Sequence, residues 1–183
     1  MGTKNDILET AFIMFANHGY YGTSLADLAS RVGIKKPSLY NHFTNKDELY
    51  SLCIEKCMQR GIDNLNKVKI DENSSKADLY NFSKDYIFDN INYIAFYFQM
   101  QSSPSLHQPK ITELNNKKKK IIEAKLYEFL NGDANIKIKL IHLRTFFNGW
   151  LARRYFSKDE ELLNLAIKEF DEDFEFVYKK IIR

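Results

Sequence analysis

Apolar residues recur at helical spacing almost from the start of the chain. Ile7, Leu8, Ala11, Phe12 and Phe15 form one stripe of a predicted helix from about Lys4 to His18, which Gly19 stops. Ser24 followed by Asp27 is a capping-box signature that opens a short helix through Val32, and Gly33 closes it. A third helix is predicted from about Lys36 to Phe43, with Pro37 in the first turn, where its missing N–H costs little. Thr44 and Asp47 repeat the capping signature and launch a longer helix from about Asn45 to Leu65. Beyond a polar stretch, Lys69 to Lys76, the pattern predicts helices over roughly Lys76 to Ser102, Ile111 to Leu130, Ile136 to Phe156 and Asp159 to Ile182. Pro104 and Pro109 bracket a break. Turns at Asn131, Gly132 and Asp133 and at Ser157 to Asp159 make the last helices antiparallel neighbours.

Composition agrees with an all-α fold, because 183 residues contain only 7 Gly and 3 Pro. An apolar fraction of 44% suffices for a buried core. Cys53 and Cys57 share one helix face as small core residues, and nothing asks for an oxidising compartment. No basic stretch leads into an apolar run at the N-terminus, and the most apolar window, Tyr86 to Met100, is interrupted by Asp89, Asn90 and Asn92. A soluble cytoplasmic protein with no membrane association is expected. Enzymatic readings find no support: there is no Gly-rich phosphate loop, nucleophile elbow or helical His-x-x-x-His, and His18, His42, His107 and His142 are scattered. No catalytic residues, metal or cofactor are expected. The net charge is +3, and residues 1–60 hold 7 Lys+Arg against 6 Asp+Glu, a balance of only +1. Any case for nucleic acid must therefore rest on where the charges lie. The run Lys117 to Lys120 points to different sides of a helix and reads as a solvated surface.

The arrangement of Leu25 to His42 supplies that case. Leu28, Val32, Ile34 and Leu39 are spaced to bury between the second, third and first helices, Ala29 is small where helices cross, and Gly33 sits in the turn. Such pins leave the opposite face of the third helix exposed, and that face carries Lys35, Lys36, Pro37, Ser38, Tyr40, Asn41 and His42. Lysine can donate to guanine acceptors, asparagine can pair with adenine, and hydroxyls can hold phosphates.

The segment Thr23 to Leu49 resembles the DNA-binding domain of the TetR family, and the resemblance extends over about Lys4 to Tyr50. It implies phosphate contacts from Ser24, Tyr40 and Lys46, base reading by Lys35, Lys36, Pro37, Ser38 and Asn41, and a place at the backbone edge for His42. Lys35, Lys36 and Pro37 stand where many members carry Ser or Thr, a basic residue and Gly, which leaves the operator sequence open.

The expected organisation is a three-helix helix-turn-helix domain, residues 1–48, joined to a helical-bundle domain, residues 49–183, for ligand binding and dimerisation. A two-turn reading helix contacts few base pairs, so two copies on double-stranded operator DNA are expected. The apolar stripes Leu140, Leu143, Phe147 and Leu151, and Leu162, Leu165, Phe170 and Phe174, fit either an intrachain core or a bundle face. The resemblance implies that these helices pair with their symmetry mates in a homodimer. The aromatic-rich stretch Tyr80 to Met100 is apolar on more than one face, which suits a buried element or a cavity wall. Tyr93, Tyr97, Gln101, His107, His142, Phe146 and Trp150 combine aromatic surface with polar handles and are the candidate contacts for a small apolar or aromatic effector. The expected function is thus a repressor released by that effector. The alternative is a regulator whose C-terminal domain only dimerises or binds a protein partner.

Overall fold

Short polar side chains start the helices. In the computed structural model, which describes residues 3–131 and 133–182, Thr3 and Asp6 form a reciprocal capping box at the head of α1 (Lys4–His18), and Gly19 ends it at φ 68°. Ser24 accepts the Asp27 amide at 3.1 Å to open α2 (Leu25–Val32), and Gly33 closes it in the left-handed conformation, φ 77° and ψ 30°. One α-helical turn follows, α3 (Lys36–Leu39), and tighter i to i+3 bonds carry the chain on to His42. The reading helix is therefore shorter than its expected span to Phe43.

The cap of α4 (Lys46–Lys67) uses different atoms from those the sequence suggested. Asn45 accepts the Glu48 amide at 2.8 Å, and Glu48 reaches back to the Thr44 amide and hydroxyl at 2.6 and 2.7 Å. Asp47 is thereby released for other partners. The expected helix from Lys76 to Ser102 is broken into α5 (Lys76–Ile87), α6 (Ile91–Gln99) and a 3-10 turn, Met100–Ser102. The break falls at Asp89 and Asn90, where the Asp89 carboxylate accepts the Asn90 amide at 2.7 Å and so competes with the helical ladder. A second 3-10 turn, Ser105–His107, leads into α7 (Gln108–Phe129), which takes Pro109 into its first turn instead of starting after it. α8 (Ile136–Phe156) matches its expected span, and α9 (Glu160–Val177) widens into a π-helical end, Tyr178–Ile182. Gly132 of the expected turn lies outside the described residues. All regular elements among the described residues are helical, and none of these helices is long and apolar enough to cross a membrane.

The chain divides into two compact units, the first built from residues up to Gly61 with Asn92–Lys117, the second from Ile62–Ile91 with Lys118 onward. The expected boundary after residue 48 lies inside α4. In the first unit, Ile7, Phe12 and Phe15 of α1 are buried with Leu28, Leu39, Tyr50 and Phe96. Phe12 stacks on Phe96 at 4.8 Å between centroids, and Phe15 meets Tyr50 edge-on at 4.8 Å. In the second unit, Leu79, Phe82 and Ile87 of α5 pack with Leu126, Leu143, Phe147, Phe170 and Phe174.

Candidate nucleic-acid interface

The reading segment depends on two anchors. Leu28 has no exposed surface and Leu39 is 2% exposed, so one face of α2 and α3 is held in the core of the first unit. Gly33 donates its N–H to the Ala29 and Ser30 carbonyls, which turns the chain between the two helices. Lys35, Lys36, Pro37 and Asn41 then stand exposed, Ser38 and His42 are half-buried, and Tyr40 is 49% exposed. Neither Lys35 nor Lys36 forms an ion pair among the described residues. The structure thus brings seven of the predicted reading residues onto one short segment whose donors are free to meet an acceptor-rich partner. Ser24 lies apart at the head of α2, where its exposed hydroxyl donates to the Asp27 carboxylate at 2.6 Å.

Lys46 opens α4 and is half-buried, with its ammonium 4.1 Å from the centroid of the Tyr20 ring. Burial lowers its pKa from the ordinary lysine value, and the neighbouring Asp47 carboxylate opposes that shift. Tyr20 donates its hydroxyl to Asp47 Oδ1 at 2.8 Å, and His107 Nε2 lies 3.0 Å from the same oxygen. The hydrogen bond from Tyr20 is the main reason the Asp47 carboxyl is held below the usual carboxylate range. Burial, with that bond, pushes the Tyr20 phenol up to about 12. Sequence reasoning missed this group because Asp47 carries a capping signature and Tyr20 lies in a connector. Nor did it find Lys4, whose ammonium is 5.3 Å from the Phe43 ring centroid at the end of the reading segment.

The seven candidate effector contacts fall in different places. Tyr93, Tyr97, Gln101 and His107 belong to the first unit, and His142, Phe146 and Trp150 to the second. Tyr93 is packed between Phe12, at 4.6 Å, and the Arg60 guanidinium, at 4.4 Å. Gln101 is exposed and donates to the Tyr97 carbonyl at 3.2 Å, and His142 is exposed. Phe146 and Trp150 are half-buried on Phe170, at 5.8 and 5.4 Å, and the Trp150 indole N–H donates to Asp173 at 2.8 Å. An open groove of about 410 Å³ in the second unit is lined by Glu123, Ala124, Tyr127, Lys137, Leu140, Ile141 and Arg144, none of them among those seven. Among the described residues no cluster of His, Cys, Asp and Glu is placed to hold a metal ion.

The stripes predicted for dimerisation divide by exposure. Leu143, Phe147, Leu151, Phe170 and Phe174 are each 7% exposed or less, so they fill the core of their own chain and have almost no surface left for a second one. Leu140 is half-buried at the groove, whereas Leu162 is 38% and Leu165 46% exposed. The outward apolar residues that sequence reasoning passed over are Ile138, Ile141 and Phe156 of α8 and Phe176 of α9.

A two-helix motif on buried pins, with a polar and basic face turned outward, defines a helix-turn-helix DNA-binding transcriptional regulator. Residues 7–53 match the family described as bacterial regulatory proteins, tetR family. The biofilm operon icaADBC HTH-type negative transcriptional regulator IcaR of Staphylococcus aureus is 33% identical over 91% of this chain and 100% of its own length. Its Staphylococcus epidermidis counterpart is 41% identical over 102 residues, so the chain spans only 55% of that relative's length. The chain belongs to the TetR family and is a regulator, not an enzyme. A regulator from Aquifex aeolicus shares the fold with a TM-score of 0.73 and 23% identity, over 96% of this chain and 99% of that one. A TetR-like regulator from Rhodococcus gives 0.72 and 19%, over 98% and 96%.

Proposed function

We propose that this protein is a cytoplasmic repressor that binds double-stranded operator DNA as a homodimer and is released by a small apolar or aromatic effector. The observation that carries the DNA-binding part is the exposed set Lys35, Lys36, Tyr40 and Asn41, whose side chains are unpaired among the described residues, above the buried pins Leu28 and Leu39. Lys36, Ser38 and Asn41 reach base edges, Lys35 and Pro37 flank them, and Ser24, Tyr40, His42 and Lys46 hold the phosphates on either side. Repression is supported by the staphylococcal relatives, which are negative regulators by name.

Dimerisation is supported by apolar surface that one chain leaves in water. Ile138, Ile141 and Phe156 of α8 and Leu162, Leu165 and Phe176 of α9 are 38–66% exposed. These residues, not the buried members of the predicted stripes, form the proposed interface. The effector part is supported within the second unit by the half-buried aromatic surface of Phe146 and Trp150. Residues 1–48 read DNA, and residues 49–183 respond to the effector and dimerise.

The test is a mobility-shift titration on the DNA upstream of the protein's own gene, over a salt series, with Lys36→Ala, Tyr40→Phe and Lys46→Ala. Each lost phosphate contact flattens the slope of log affinity against log salt by about 0.9. A lost base contact leaves that slope nearly unchanged and relaxes sequence preference. Absence of binding at low salt would overturn the proposal. Operator complexes that no apolar or aromatic compound weakens would remove its effector part alone.

A further inference from the structure

His107 lies 60 residues beyond Asp47 in the chain, yet it belongs to the same compact unit as the reading segment and is only 3% exposed. An ionised Asp47 oxygen can only accept, so His107 Nε2 carries the hydrogen and donates it across 3.0 Å. Asp47 Oδ1 therefore receives two donors, His107 and the Tyr20 hydroxyl. Two donors on one oxygen fix the plane of a carboxylate that would otherwise rotate freely at the first turn of α4. The carboxylate in turn fixes the Tyr20 phenol, whose ring also meets Tyr50 at 5.0 Å, edge-on. His107 is itself clamped, 5.1 Å from the Tyr50 ring and 5.9 Å from that of Tyr20. At the far end, the Tyr20 ring face holds the Lys46 ammonium at 4.1 Å.

A lysine loses rotamer freedom when its ammonium is pinned, and a seat built in advance removes part of that cost from DNA binding. We propose that His107 is a positioning residue for operator binding: through Asp47 and Tyr20 it seats the Lys46 ammonium where a DNA phosphate is bound. This rests on the proposed phosphate contact of Lys46. The 3-10 turn Ser105–His107 thereby becomes part of the DNA-binding apparatus, although it lies beyond α6, far along the chain from the reading segment.

The test measures operator affinity across a salt series for the full chain and for Lys46→Ala, His107→Phe, His107→Gln, Tyr20→Phe and the double variant Lys46→Ala/His107→Phe. His107→Phe keeps a flat ring without a donor and is expected to weaken binding roughly tenfold, as for a lost hydrogen bond to a charged group, with a flatter salt slope. His107→Gln supplies an amide donor and restores most of the affinity. Tyr20→Phe breaks the next link without touching His107 and gives the same loss and the same change of slope, so the reading stands even if His107→Phe folds poorly. In the Lys46→Ala background, His107→Phe costs less than about twofold, because residues that act through one contact are not additive. A full tenfold loss in that background, or an unchanged salt slope in both His107→Phe and Tyr20→Phe, would overturn the proposal. If Lys46→Ala itself leaves the slope unchanged, the phosphate reading of Lys46 has failed and the positioning role with it. An effective Lys46→Ala beside an inert Tyr20→Phe and an inert His107→Phe refutes the positioning role alone.

Discussion

Replacing Gly33 isolates the cost of one backbone conformation at the heart of the DNA-reading motif. Its φ of 77° and ψ of 30° lie in the left-handed region, and a Cβ added there meets nothing within 4 Å. Steric crowding by neighbours is therefore excluded, and the penalty is purely conformational. The left-handed region costs an L-residue roughly 1–2 kcal/mol, and less for asparagine, which tolerates it. For a chain of this length each kcal/mol lowers the thermal midpoint by about 2–4 °C, so Gly33→Ala is expected to lower it by roughly 2–8 °C. Gly33→Asn should fall between Gly33→Ala and the parent, and Gly33→Val should lie below both because its branched Cβ disfavours this conformation further. Operator affinity should fall in the same order, since relaxing φ at this turn tilts α3 away from its seat. Thermal unfolding followed by circular dichroism, with anisotropy titrations on labelled operator DNA, reads both quantities. Equal midpoints for Gly33→Ala and the parent, or for Gly33→Val and Gly33→Asn, would refute the reasoning, because they would mean that backbone strain at this turn contributes nothing.

Leu39→Ala removes the pin beneath the reading segment and should destabilise the protein by roughly 2–5 kcal/mol, measured by urea unfolding, with loss of specific operator binding before non-specific binding. The Tyr20 phenol should titrate near 12 against an ordinary value of 10.0, read as a late tyrosinate absorbance step that Tyr20→Phe abolishes. Because the folded-state value is the higher one, the stability linked to it is complete below pH 10 and declines as pH rises through the folded-state value. The carboxyl of Asp47 acts at the other end of the scale: its lowered value gives stability that is complete above the ordinary carboxylate range and lost as pH falls through the depressed one, so Asp47→Asn should flatten the acid limb of the unfolding profile. Ile141→Glu and Leu165→Glu place charges on residues 48% and 46% exposed in the single chain, so helix content should persist while sedimentation equilibrium shifts toward monomer.

The reading motif was legible in the sequence because its signals are local. Helix periodicity, the Ser24 cap, the Gly33 stop and Pro37 each act within a few residues, and together they placed α1, α2, α8 and the exposed face of Lys35 to Asn41 with little error. Apolar periodicity also marked the long helices of the second unit, but it marks only that a residue is buried, not in what. Phe170 and Leu165 lie on adjoining parts of one helix with the same pattern, and the tertiary structure alone makes the first a core residue with no exposed surface and leaves the second 46% exposed. The break between α5 and α6 escaped because Asp89 and Asn90 sit among strongly apolar neighbours that carry a helical signal across them. His107 shows the same limit at the candidate site. The sequence offered it as an effector contact, a polar handle beside aromatic surface, and gave no sign of its partner Asp47, 60 residues away. The sequence by itself determined where most of the helices start and which face of the third one is polar, since those depend on backbone hydrogen bonds and spacing over a turn or two. Only the tertiary structure decided which charges support that face, because a hydrogen bond of 3.0 Å between distant elements leaves no periodic trace along the chain.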